Sequence, residues 1–353
     1  MKISISIALI FLSWFAQAQD HFNYISARLD QGYVLIHSRE LRPIENSYPT
    51  GLELDFGKHQ TSQKVWDNCN CYPKTGVSLT FWDFDNPEVL GYGVTSLYYV
   101  QPVFGAGNKL SFSVRGAMGL SYQTQPYDEI SNPDNLSYST RIAFPLQAGV
   151  AVHYRLGEKW MIDLNTVFNH ISNGGLKEPN KGINWPTVGL GITRYFEAPV
   201  FPERTVTDWR LDNPELNRWD LTVFGTYHQP RSRYFLFSGG LELKYARRIS
   251  RLDNITGGME WMYDNGQADL STEEDPVNGN NLGLAVGHEF ILGKFLFGQQ
   301  FAAYLVKPQT QAADVYQRYS LVYRITPGLS AGFSLKSHGH VADFADLRIG
   351  WSF

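Results

Sequence analysis

Cysteine is nearly absent: 353 residues hold two, Cys69 and Cys71. They stand two apart in a turn-like stretch, a spacing poor for a disulfide, and no nearby residues complete a metal-ligand pattern. A disulfide scaffold and a zinc module are therefore excluded, and the pair is expected to be an incidental surface feature. Long apolar runs are lacking too. No stretch after residue 18 reaches the roughly 18 apolar residues of a membrane-spanning helix. The one apolar segment near the start runs from Ile3 to Phe15, after Met1-Lys2 and before Ala16-Gln17-Ala18. A positive start, a short apolar core and an A-x-A site read as a secretory signal peptide over residues 1–18. No cysteine follows it, so no lipoprotein anchor is indicated. Charge excess is missing as well: a net charge of −4 argues against a general nucleic-acid binder.

Aromatics, glycine and alternation are what the chain has in quantity, with 9 Trp, 20 Tyr, 22 Phe and 32 Gly. Almost every segment alternates with period two, the pattern of half-buried strands. In Lys109–Met118, one face carries Leu110, Phe112, Val114, Gly116 and Met118, and the other Lys109, Ser111, Ser113, Arg115 and Ala117. A soluble sandwich would bury the apolar face. A membrane barrel turns it to lipid and keeps polar and small residues in the lumen. Charged residues recur on the small-residue face, which favours the barrel. The last segment, Leu347–Phe353, alternates and ends in Phe, like the assembly signal of outer-membrane barrels.

Strands are expected near 32–40, 49–58, 74–84, 89–104, 108–122, 139–155, 159–172 and 184–196. Eight more are expected near 218–229, 234–247, 255–264, 281–292, 294–306, 314–325, 329–341 and 343–353. Between the two sets, Glu197–Leu216 contains Pro199, Pro202 and Pro214, a natural linker. The halves form a weak internal repeat. Gly51-Leu52-Glu53-Leu54 returns as Gly240-Leu241-Glu242-Leu243, Lys109–Phe112 as Lys294–Phe297, and Tyr154-Arg155 as Tyr323-Arg324. The reading is an all-β transmembrane antiparallel barrel of about 16 strands. It divides into a first repeat at 19–197, a linker at 198–216 and a second repeat at 217–353. One large barrel and two small ones both fit.

Chemistry concentrates at the end of the seventh strand, in His170-Ile171-Ser172-Asn173-Gly174-Gly175. Residues two apart share a face of a strand, so a base, His170, stands beside a hydroxyl, Ser172. Both lie on the face of Trp160, Ile162, Leu164, Thr166 and Phe168, the lipid side. Polar groups there are costly unless used or wetted. The next strand puts Asn184 on the same face as Val188, Leu190 and Ile192, beside His170. With a periplasmic N-terminus, this end of the strand reaches the outer leaflet.

The stretch His170–Asn184 resembles the lipid A 3-O-deacylase (acyloxyacyl hydrolase) family of outer-membrane barrels. The resemblance rests on His-x-Ser-Asn followed by Gly175-Leu176-Lys177, Pro179-Asn180 and Gly182-Ile183, and the strand layout extends it over roughly 32–196. It implies Ser172 as nucleophile, His170 as general base, and Asn173 with the Gly174 and Gly175 amides as oxyanion donors. It also implies lipid A or lipopolysaccharide as substrate and removal of a 3-hydroxyacyl chain. One position departs: the family's third triad member is Glu, and Asn184 stands here. An amide oxygen can fix an imidazole tautomer but stabilises imidazolium less than a carboxylate. Glu178 is a possible substitute carboxylate, and Lys177 and Lys181 could meet lipid phosphates or simply be solvated.

Outer-membrane phospholipase A is similar at the site. It shares His-x-Ser-Asn-Gly and an Asn at this spacing, and depends on calcium and dimerisation. A non-catalytic structural or channel barrel is the third reading. The deacylase scheme calls for no cofactor and no metal, and the oligomeric state stays open. Gly328–Gly332 formally fits G-x-S-x-G, but a strand-to-helix elbow is missing. In the second half, Gly339 and Val341 align with His170 and Ser172. Ser337-His338-Gly339-His340 therefore belongs to a copy without the site.

Overall fold

The computed structural model describes residues 20–206, 208–212, 216–228, 235–268, 278–339 and 341–353. The expected signal peptide, Pro214 and His340 lie outside the described residues. Alternation becomes strand nearly everywhere. The first set comprises β1 (His21–Gly32), β2 (Thr50–Gln60), β3 (Lys74–Asp83), β4 (Tyr92–Gln101), the two-residue β5 (Val103–Phe104), β6 (Leu110–Gln123), β7 (Ile142–Arg155), β8 (Trp160–Ser172) and β9 (Ile183–Tyr195). The second comprises β10 (Asn217–His228), β11 (Leu236–Arg248), β12 (Asp253–Asp264), β13 (Asn280–Leu292), β14 (Phe295–Val306), β15 (Val315–Arg324), β16 (Leu329–His338) and β17 (Val341–Ser352).

Two closed barrels form, each of eight long antiparallel strands. In the first, β9 returns to β1 and β4 pairs with β6; in the second, β10 pairs with β17. Closure pairs the first strand of each barrel with the last, which removes most of the open sheet edge that a membrane would not tolerate. The repeated sequence pairs fall in the same strand of each barrel: the second (β2, β11), the start of the fifth (β6, β14) and the end of the sixth (β7, β15).

An eight-stranded lumen is just wide enough to be filled by side chains, and both lumens are crossed by ion-paired networks. In the first barrel, Arg28 bonds Asp30 at 3.0 Å and Glu53 at 2.6 Å, while Arg115 bonds Glu53 and Asp55, each at 2.8 Å. In the second, Arg348 bonds Glu242 and Asp346, each at 2.7 Å, and Arg318 bonds Glu260 at 2.6 Å and Asp346. Lys244 and Arg218 share Glu289. The opposite faces carry Leu, Val, Ile and aromatic side chains outward.

Two expectations are corrected. The first strand is residues 21–32, not 32–40. Its lumen face is Tyr24, Arg28 and Asp30, which join the aromatic and ionic interior of the barrel. The apolar run after it belongs to a loop, residues 33–49, with a 3-10 turn at Arg39–Ile44. Val34, Leu41 and Ile44 pack against Trp82, Phe84 and Trp185. Their apolarity therefore caps one mouth of the barrel instead of facing lipid. The second correction is Cys69–Cys71, which form a disulfide. Cys69 ends the short helix α1 (Gln63–Cys69), and Asn70 adopts the left-handed conformation. That reversal brings the two Cα atoms to 5.1 Å, within disulfide reach despite the spacing.

Part of the connector between barrels is docked on the first. Phe201 packs against His59 and Tyr72, and Arg204 donates to the Tyr72 hydroxyl at 3.0 Å and to the Thr61 carbonyl at 2.8 Å.

Candidate functional site

The site starts from strand register. Asn184 in β9 stands directly opposite His170 in β8, and Ser172 opposite Phe144 in β7. Along β8 the even positions from Trp160 to Phe168 are exposed and the odd ones buried. His170 and Ser172 continue the outward face, yet Ser172 is only 6% exposed.

The ring orientation follows from the hydrogen bonds. Asn184 Oδ1 lies 2.6 Å from His170 Nδ1. An amide oxygen only accepts, so His170 Nδ1 carries the proton, and the neutral ring keeps a bare Nε2. Asn184 Nδ2 lies 3.2 Å from His37 Nδ1, and His37 Nε2 lies 2.9 Å from the Lys181 carbonyl. The amide donates to Nδ1 of His37, whose Nε2–H donates to the carbonyl. Ser172 Oγ accepts from the Gly174 N–H at 3.4 Å. Among the described residues no hydrogen bond joins His170 to Ser172. Such a bond commonly tightens only when substrate is bound.

The turn after Ser172 is held by Asn173, which is fully buried. Its side-chain amide donates to Lys177 O at 2.6 Å and Ser139 Oγ at 3.1 Å, and its Oδ1 accepts from Gly175 N at 3.1 Å. Its backbone N–H donates to Asn180 Oδ1 at 2.7 Å. Of the three expected oxyanion donors, the amides of Asn173 and Gly175 are therefore engaged in the turn. The Gly174 N–H is the one directed at the Ser172 oxygen. Gly182 needs to be glycine on two counts. Its φ is +73°, and a Cβ there would lie 2.7 Å from His170 Cε1.

Other candidates settle elsewhere. Glu178 accepts from the Asn180 N–H at 3.1 Å and takes no part in the His170 pairing. Lys181 pairs with Glu40, whose carboxyl is held below its usual range by the Lys181 hydrogen bond, then by that from Ser38. Lys177 contributes its carbonyl to the turn. Ser330, of the formal G-x-S-x-G, donates to Gly350 O inside the second barrel. His338 bonds Tyr304 and Gln311, and Lys336 is buried among Tyr304, Tyr316 and Phe344. Among the described residues no three His, Cys, Asp or Glu are grouped to hold a metal.

Sequence reasoning missed His37 and Ser139, the bond that Asn180 makes to Asn173, and the contact of the second barrel with the site. Gly174 O accepts from the Ala345 N–H of β17 at 3.0 Å, and a Cβ on Gly175 would lie 2.7 Å from Asp343 O. Asn180 belongs to the motif, and its role in bonding Asn173 is a tertiary fact. No local signal marks His37 or Ala345.

Residues 50–193 match the family model described as lipid A 3-O-deacylase (PagL), and residues 217–353 match that of the acyloxyacyl hydrolase C-terminal domain. Together they span most of the chain. No curated protein matches the chain by sequence. Among solved structures, Neisserial surface protein A is similar at 11% identity and TM-score 0.35, covering 49% of this chain and 97% of that one. The Acinetobacter baumannii outer membrane protein Omp33 aligns at 9% identity and TM-score 0.18, covering 95% and 98%. A porin of Rh. blastica aligns at 12% identity and TM-score 0.18, covering 94% and 99%.

Proposed function

The chain belongs to the lipid A 3-O-deacylase (PagL) family, and from that premise we propose that it is an outer-membrane serine esterase that removes an ester-linked 3-hydroxyacyl chain from lipid A. The observation that carries the site assignment is the 2.6 Å bond from His170 Nδ1 to Asn184 Oδ1, with Ser172 on the same outward face of β8. That bond leaves Nε2 of His170 free to act as base. An outward-facing hydroxyl suits a substrate whose acyl chains lie in the membrane. With the first-barrel N-terminus periplasmic, the site meets the outer leaflet.

In this reading His170 Nε2 takes the Ser172 proton as Oγ attacks the ester carbonyl. The Gly174 N–H supports the oxyanion; loss of one such donor typically costs ~100–1,000-fold. The resulting imidazolium returns its proton to the leaving sugar oxygen, and an acyl-enzyme remains. Water, deprotonated by His170, releases the 3-hydroxy fatty acid. Asn184 orients the ring throughout, but as a neutral amide it supports imidazolium less than Glu would.

Asn184 also favours a phospholipase A reading, which the same experiment separates. The ion-paired side chains across both lumens argue against a channel. Outer-membrane lipids from cells expressing wild type or Ser172→Ala are compared by mass spectrometry. Lipid A lighter by one hydroxyacyl chain, with wild type only, is expected. Lysophospholipid with intact lipid A, suppressed by calcium chelation, would replace the proposal with a phospholipase. Hydrolysis retained by Ser172→Ala would overturn the nucleophile assignment.

A further inference from the structure

A carboxylate can only accept a hydrogen bond, so a triad with Asp or Glu in third place has no wrong end. An amide has two. If Asn184 turned its Nδ2 toward His170, the ring would have to accept at Nδ1 and carry its proton on Nε2. That is the nitrogen facing away from Asn184 and needed as base. The substitution of Asn for the family's Glu therefore requires something to hold the amide one way round.

His37 is placed to do so. It comes from the β1–β2 loop, and its half-buried ring bonds both the amide and the loop that follows Ser172. Its Nδ1 is 3.2 Å from Asn184 Nδ2, and its Nε2 is 2.9 Å from the Lys181 carbonyl. A carbonyl oxygen cannot donate, so the Lys181 bond fixes the His37 proton on Nε2. Nδ1 of His37 is then an acceptor, which only the NH2 end of Asn184 satisfies. The oxygen end is thereby turned to His170 Nδ1 at 2.6 Å. Each bond in the series Lys181 O, His37, Asn184, His170 determines the direction of the next.

We propose that His37 is a positioning residue that locks the Asn184 amide, and through it the tautomer of His170. The proposal rests on the reading of His170 as the base and extends it to a residue outside the motif. His37 touches no reacting atom.

The lock is tested with the full chain in detergent or lipid. Removing one buried hydrogen bond shifts a two-way balance by up to about tenfold. His37→Leu is therefore expected to lower kcat several-fold on lipid A, with KM unchanged. His37→Asn keeps an acceptor near the Nδ1 position but not the Lys181 bond that fixes its direction, and should recover only part of the loss. In an Asn184→Asp background, where the third group has no wrong end, His37→Leu should cost little. An equal loss in both backgrounds would overturn the lock, as would wild-type kcat in the single variant.

A second readout needs no turnover: 15N chemical shifts of the histidine rings. Wild type should show His170 protonated at Nδ1 and bare at Nε2, and His37→Leu a mixture of tautomers. A wild-type His170 with its proton on Nε2 would overturn the lock whatever the substrate. The expected wild-type signature in a protein that leaves lipid A intact would instead count against the deacylase reading and leave the lock standing.

Discussion

Gly182 lies against the ring it serves. A methyl group there would meet His170 Cε1 at 2.7 Å and would also occupy a backbone conformation, φ +73°, that costs L-residues roughly 1–2 kcal/mol. Relief requires the imidazole to move, and displacements near 1 Å cost on the order of 100-fold in rate. Gly182→Ala is therefore expected to reduce turnover at least tenfold while the barrel still forms. Turnover and heat-modifiable gel mobility, measured together, check this. Unchanged turnover would mean that the His170 position is not critical. At this scale the sequence was informative about identity and face. His170, Ser172 and Asn184 read as one outward patch, and register does put Asn184 opposite His170. What the residues alone did not reveal was engagement. Asn173 looks like a free donor in the motif, yet its amide groups are bonded within the turn.

The β1–β2 loop is the element whose sequence misleads most. Tyr33-Val34-Leu35-Ile36 reads as the start of a strand, because an apolar run looks the same whether lipid or a loop core buries it. In the fold it covers a barrel mouth and brings His37 and Glu40 to the loop after Ser172. Glu40 and Lys181 join the two loops. The bonded ammonium lowers the Glu40 carboxyl, so the pair contributes fully above the ordinary glutamate value, ~4.3, and is lost as pH falls through the lowered one. Glu40 is exposed and Lys181 partly so, and such pairs contribute little to global stability. The effect is expected locally. Amide exchange at Lys181 and Gly182, corrected for intrinsic rates, should rise only on acidification below that range, and Glu40→Gln should remove this dependence. An identical acid response in wild type and Glu40→Gln would show that the pair does not hold the loop.

Across the whole molecule, the second barrel reaches the site of the first. The β10–β17 pairing runs from Asp220↔Ser352 to Gly225↔Leu347, and the earlier part of β17 continues past it. There the Ala345 N–H donates to Gly174 O; toward the other end of the strands, Tyr98 and Phe295 approach across the barrels at 6.3 Å between ring centroids. A strand segment laddered to β16 on one edge, but without a β10 partner on the other, thus bonds the turn whose amide points at Ser172. Ala345→Pro deletes that donor at a position where no β10 partner uses it. Activity should fall roughly three- to tenfold, the value of about one net hydrogen bond, with both barrels intact by heat-modifiable gel shift. Full activity would reduce the contact to simple packing. This role for a repeat that lacks the His and Ser at Gly339 and Val341 could not be read from its own sequence.

Alternation, punctuation and the internal repeat determined that this chain makes antiparallel barrel strands, which side chains face outward, and that His170, Ser172 and Asn184 share a patch. Those properties follow from a period of two and from strand order, both local. Tertiary structure decided what depends on closure and on contacts between distant segments. Two barrels form because β9 finds β1 and β17 finds β10. Cys69 meets Cys71 because Asn70 reverses the chain. His37 meets Asn184 across 147 residues, and Ala345 meets Gly174 from the other barrel. The sequence pattern encodes the side of the sheet on which a residue lies, whereas the partner it meets there is set by the folding of loops, whose backbone has no period to read.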